Sequence, residues 1–134
     1  MTRVLVVGAT GRQGGWVVDA LLAPLPTETD AVAVLVPTVL GLTRDAGSDA
    51  ARGLADRGVT LVEADLGAPD SLAAAVAEAA PDAVFGYTVG MGRADEREQG
   101  RNLVDAVAAT DARLVLSTGG FCDDRPGVEH VDAK

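Results

Sequence analysis

Short apolar runs rich in valine and leucine alternate along this chain with longer stretches in which apolar side chains recur every three or four positions. The first run, Val4-Leu5-Val6-Val7, has the composition of a buried strand. It passes through a glycine turn into Trp16-Val17-Val18-Asp19-Ala20-Leu21-Leu22, which has helical spacing. Pro24 and Pro26 forbid the helix from continuing beyond about Leu22. Two segments, 31–36 and 38–43, compete for the second strand on either side of Pro37. The later one is favoured because Thr43 and Arg44 then fall at its tip. Ser48 or Asp49 caps a helix to about Arg57, and Gly58 stops it. A third strand over 59–64 leads through Asp65-Leu66-Gly67 to an alanine-rich helix from Pro69 to about Ala80. A fourth strand over 82–88, a polar helix over about 94–110 and a fifth strand over 114–118 complete the pattern. Leu103, Val104, Val107 and Ala108 are the expected apolar face of that last helix.

Five strands alternating with four helices predict an α/β fold, a doubly wound parallel sheet, for which the expected strand order is the common 3-2-1-4-5. A chain of 134 residues is the size of one domain and buries a core without disulfides or metals. Aromatic residues make up only 3% of it, so the core falls to valine, leucine and alanine.

Charge and composition remove several function classes. The formal net charge of −9 opposes direct binding to nucleic acid or anionic membrane, so any phosphate must be held by a local site. Cys122 and His130 are single residues of their kinds, which excludes an internal disulfide and offers no metal site. The apolar stretch 31–42 is too short for a membrane helix and is broken by Pro37 and Gly41. The run over residues 4–7 ends too soon for a signal peptide, so a cytoplasmic protein is expected.

The glycine turn Gly8-Ala9-Thr10-Gly11-Arg12-Gln13-Gly14-Gly15 supplies the candidate chemistry. Glycines at 8, 11 and 14 let the backbone leave the strand tightly, approach a diphosphate and pack the helix close, while free N–H groups at the helix start face the anion. A glycine triplet alone is a weak signal, and the other strand tips strengthen it. They carry Thr43 and Arg44, Asp65 and Leu66, Thr88 and Val89, and Ser117 with Thr118. Arg44 offers a planar fork for a ribose 2′-phosphate, which favours NADP(H) and leaves NAD(H) possible. Asp45 turned inward in its place would favour NAD(H). Arg12 is placed either to join Arg44 on that phosphate or as a solvated arginine at the helix start. Asp65 is a candidate acceptor for the adenine amino group with Leu66 against the ring, or else a cap for its own loop.

Five blocks in order resemble the NmrA-like family of atypical short-chain dehydrogenases/reductases: the glycine turn, Leu42-Thr43-Arg44-Asp45, Val62-Glu63-Ala64-Asp65-Leu66, Gln99-Gly100-Arg101-Asn102-Leu103-Val104-Asp105-Ala106 and Val128-Glu129-His130-Val131-Asp132-Ala133-Lys134. The resemblance implies a Rossmann domain binding NADP(H) through Gly8, Thr10, Gly11, Arg12, Gln13, Gly14, Thr43, Arg44, Asp65, Leu66, Thr88, Val89, Ser117 and Lys134. It implies catalytic candidates in Lys134, the only lysine, in Ser117 at the fifth tip, and in His130, which stands where related enzymes place a tyrosine. Family members continue beyond the last block into further strands and a substrate lobe. The chain is therefore expected to be a truncated cofactor-binding domain, its fifth strand an open edge for a second copy. Two functions follow from the resemblance: NADP(H) binding or redox sensing without turnover, and reduction of quinone-like or carbonyl small molecules by a longer parent enzyme.

Overall fold

The computed structural model describes residues 2–23, 36–88 and 94–118. Nine elements alternate along it: β1 (Arg3–Val7), α1 (Arg12–Leu22), β2 (Thr38–Thr43), α2 (Asp49–Ala55), β3 (Thr60–Glu63), α3 (Pro69–Ala79), β4 (Ala83–Gly86), α4 (Ala94–Ala108) and β5 (Arg113–Leu116). The strands form one five-stranded sheet, parallel throughout as the βα alternation predicts, in the expected order β3-β2-β1-β4-β5. The later of the two competing segments forms β2, paired to β1 from Arg3–Thr38 to Val7–Leu42. Segment 31–35 lies outside the described residues, as do Val89, His130 and Lys134.

The period-two alternation of the strands divides the core into two layers. Leu5, Val7, Leu40, Leu42 and Val84 face α3 and α4, meeting Leu72, Val76, Leu103 and Val107. Val6 and Val39, with Val4, Leu61 and Phe85 beside them, face the other way and pack with Val18 of α1 and Leu54 of α2. Helices thus cover both faces of the sheet. Each fully buried leucine or valine contributes about 1.5–3 kcal/mol, and the layers together position the strand tips.

One expectation fails in α4. Its buried face is Leu103, Ala106 and Val107, whereas Val104 is 42% exposed and Ala108 is exposed. The stripe is narrower than the sequence pattern suggests because Ala106, rather than Val104, turns toward the sheet layer. Ser48 rather than Asp49 caps α2, its Oγ accepting from the Ala51 N–H at 3.2 Å. Ala80 closes α3 in the left-handed region at φ 42°, the only non-glycine with positive φ among the described residues.

Candidate functional site

The carboxyl ends of β1, β2, β3 and β4 open onto a cleft of about 400 Å³ lined by Gly8, Thr10, Gly11, Thr43, Arg44, Asp45, Ser48, Asp65, Leu66, Tyr87 and Gln99, with Val7, Leu42 and Ala64 at its floor. This is where an open parallel sheet takes its ligands. Four strand tips separated by up to 79 residues in sequence come together there.

The glycine turn forms the wall nearest α1. Gly8 has φ 63°, a left-handed conformation that side chains other than glycine rarely adopt. Its carbonyl accepts from the Gly11 N–H at 2.9 Å, closing the turn. Gly14 is buried in the first turn of α1, and a Cβ there would strike the Gly8 carbonyl group. Only glycine lets the helix start so close to the strand end. That helix start is also electrostatically open. Gly11 provides no side-chain cap, and α1 has no acidic residue in its first turn, whereas α2, α3 and α4 begin with Asp49, Asp70, and Asp95 with Glu96. The unsatisfied N–H groups and the positive end of the dipole are left for an anion.

At the second tip Arg44 is exposed on the cleft wall. The carboxylates of Asp45, next in the chain, and of Glu63, paired with Thr43 across the sheet, are already engaged. Asp45 Oδ1 accepts from the Gly47 N–H at 2.8 Å, and Glu63 Oε2 accepts from the Ala46 N–H at 2.9 Å. Among the described residues no ion pair neutralises the Arg44 guanidinium. Thr43 is buried and organises the same turn, its hydroxyl donating to the Asp45 carbonyl at 3.3 Å and accepting from the Asp45 N–H at 3.3 Å. Asp45 therefore shapes the loop while Arg44 faces the cleft.

At the third tip Asp65 Oδ1 accepts from the Gly67 N–H at 2.8 Å, which is the loop-capping role, and the residue stays exposed on the cleft. Leu66 is only 8% exposed and belongs to the core as well as to the cleft lining. The amide of Asn102 ties this tip to α4, donating to the Leu66 carbonyl at 2.8 Å.

Other predicted residues lie elsewhere. Arg12 and Gln13 are exposed at the start of α1 and do not line the cleft. Gln13 Nε2 instead donates to Ser117 Oγ at 2.7 Å, joining the first and fifth tips. Thr88 is buried on the α4 side of the sheet and does not line the cleft; its hydroxyl donates to the fully buried Glu96 at 2.8 Å. Beside it a second cleft of about 310 Å³ is bounded by Thr88, Arg97, Arg101, Val104, Ser117 and neighbours.

The residue that sequence reasoning missed is Tyr87. Alternation along β4 sends Val84, Gly86 and Thr88 toward α4, and Phe85 and Tyr87 toward α1. The Tyr87 ring stands 6.5 Å from that of Phe85, and its hydroxyl donates to the Gly8 carbonyl at 3.2 Å. Counting in twos from the partly buried Phe85 was the available signal. Among the described residues no group of three or more His, Cys, Asp or Glu side chains is arranged to hold a metal ion. No helix among them is long and apolar enough to cross a membrane.

The profile of the NmrA-like family matches residues 1–134. The chain belongs to the NmrA-like family. Comparison with curated protein sequences found no match. Among solved structures, this NmrA-like chain is similar to the NADPH-dependent quinone oxidoreductase QOR2 of Escherichia coli complexed with NADPH, at 22% identity and a TM-score of 0.74 over 97% of this chain and 42% of that one. It is similar to the Citrobacter sp. triphenylmethane reductase complexed with NADP(H), at 24% identity and a TM-score of 0.72 over 96% of this chain and 42% of the other. It is also similar to AtPrR2 with NADP+ and (+)pinoresinol, at 27% identity and a TM-score of 0.70, with 98% and 43% of the chains covered. The NmrA-like chain thus spans about two-fifths of the length of each of these structures.

Proposed function

We propose that this chain is an NADP(H)-binding, redox-sensing domain of NmrA type, holding its cofactor across the tips of β1, β2 and β3. The observation that carries this reading is the exposed Arg44 on the cleft wall, beside carboxylates already engaged by backbone N–H groups. A guanidinium left open in this way suits a ribose 2′-phosphate, a dianionic group that two parallel N–H bonds can grip. In the same reading the open start of α1 takes the diphosphate, and Asp65 and Leu66 border the adenine. The dinucleotides in the three similar structures, NADPH, NADP(H) and NADP+, support it. A cytoplasmic location belongs to the same proposal.

Bound there, NADPH supplies a hydride. This chain's own residues bind and orient it: α1 by its N–H groups, Arg44 by its fork, and the Gln13–Ser117 bond by fixing the fifth tip beside the glycine turn. The named activities of the structural relatives, quinone oxidoreductase and triphenylmethane reductase, favour a second reading. In it the chain is the cofactor half of an NAD(P)H-dependent reductase of quinone-like or carbonyl small molecules. Lys134, His130 and Ser117 remain its candidate catalytic residues.

Mixing the chain with NADPH and a panel of quinones and following absorbance at the nicotinamide band separates the two. Saturable turnover overturns the sensor and supports the reductase; NADPH binding without oxidation is the result the sensor predicts, and the same assay on a longer reductase containing this chain then tests the second reading. A chain that binds neither NADPH nor NADH defeats both.

A further inference from the structure

We propose that Tyr87 is a direct ligand of the dinucleotide's diphosphate, its hydroxyl exchanging the Gly8 carbonyl for a phosphate oxygen when the cofactor binds. This rests on the NADP(H) reading above. The phenol lies over the glycine turn itself: a Cβ built on Gly8 would sit 2.5 Å from the Tyr87 hydroxyl oxygen, and one built on Gly11 would sit 2.6 Å from it. The hydroxyl therefore occupies the face of the turn that a diphosphate must approach to reach the start of α1. The two glycines make room for the tyrosine as well as for a phosphate.

The bond it makes in this structure is a weak one to give up. At 3.2 Å it is long for an O–H···O contact, whose usual separation is about 2.7–2.8 Å. The acceptor is not orphaned by its loss, because the Gly8 carbonyl also accepts from the Gly11 N–H at 2.9 Å. A phosphate oxygen in the same place is charged, and hydrogen bonds to charged acceptors are roughly twice as strong as neutral ones. Exchange of partners is thus downhill once an anion arrives. The ring lies beside that of Phe85, with centroids 6.5 Å apart and planes tilted by 51°.

Two probes separate this contact from the rest of the site: NADPH, and adenosine 2′-monophosphate, which carries the 2′-phosphate but no diphosphate. Tyr87→Phe keeps the ring and removes only the hydroxyl. It is expected to weaken NADPH by about tenfold or more and to leave adenosine 2′-monophosphate within about twofold. Because Tyr87 is the only tyrosine, 13C labelling at tyrosine Cζ gives one resonance, which should move on adding NADPH and stay in place on adding adenosine 2′-monophosphate. If the phenylalanine variant binds NADPH equally well or more tightly, the proposal is overturned, tighter binding marking the hydroxyl as an obstruction. If wild-type chain binds NADPH and the resonance does not move, the proposal alone fails. If wild-type chain binds no dinucleotide, the NADP(H) reading fails and this proposal with it.

Discussion

Arg3 and Arg44 stand at opposite rims of the same sheet and are used in opposite ways. Arg3 begins β1 at the amino rim, where its guanidinium donates twice to the Ala79 carbonyl at 3.0 and 2.7 Å, while its backbone N–H donates to Asp82 Oδ2 at 2.7 Å. The Asp82 backbone closes the same knot, its N–H donating to the Arg3 carbonyl at 2.9 Å and its carbonyl accepting from Arg113 at 3.0 Å. Arg44 follows β2 at the carboxyl rim with its guanidinium open on the cleft. Both rims are made of loops between strands and helices, yet one joins the ends of α3, β1, β4 and β5 and the other leaves N–H groups and a cation uncommitted. Polar groups consumed by the fold stabilise it, and polar groups the fold leaves open are those a ligand can use.

Substitutions should therefore separate stability from binding according to the rim they touch. The largest effect is expected at Gly14, where both depend on the same close approach. Gly14→Ala pushes a methyl into the Gly8 carbonyl, and should lower unfolding free energy by about 3 kcal/mol in urea titrations and abolish NADPH binding. Arg3→Ala comes next. Losing its two bonds to the Ala79 carbonyl should cost about 1.5–3 kcal/mol and leave NADPH affinity unchanged in the variant that remains folded. A parallel loss of affinity would break the division between the rims. Ala80→Gly tests the amino rim with the opposite sign: relief of the left-handed alanine at φ 42° should raise stability by about 0.5–1 kcal/mol, read as a higher thermal midpoint, again with binding unchanged. Arg44→Ala should change stability by no more than about 0.5 kcal/mol, because its side chain supports no neighbour in the described fold.

Much of the fold was legible because each local signal agreed with the next. Valine-rich runs, prolines at helix ends, Ser48 before α2 and Gly58 after it all point to one alternation, and an alternation of this kind has few topologies open to it. The positions of Arg44 and Asp65 on the cleft were legible for the same reason, since a residue just past a parallel strand lies at the carboxyl rim whichever way its neighbours turn. Thr88 and Tyr87 were not separated in the same way. They are adjacent, and which of them enters the cleft depends on the parity of β4. That parity is set by Phe85 packing under α1 and by Gly86 lying against Leu103, contacts that only the folded sheet displays. The pairing of Gln13 with Ser117 spans 104 residues and carries no local signal. In α4 the same difficulty appears on a helix, where Val104 and Ala106 could not be ranked without knowing how the helix is rotated against the sheet.

The central claim is that Arg44 holds a 2′-phosphate in the cleft, and calorimetric titration of wild type and Arg44→Ala with NADPH and NADH tests it most directly. Loss of a charge-assisted bidentate contact is expected to weaken NADPH by tenfold or more, at about 1.4 kcal/mol per tenfold, while NADH changes by less than about twofold. Equal affinity of the wild type for the two dinucleotides, or an NADPH preference that survives Arg44→Ala, would contradict it.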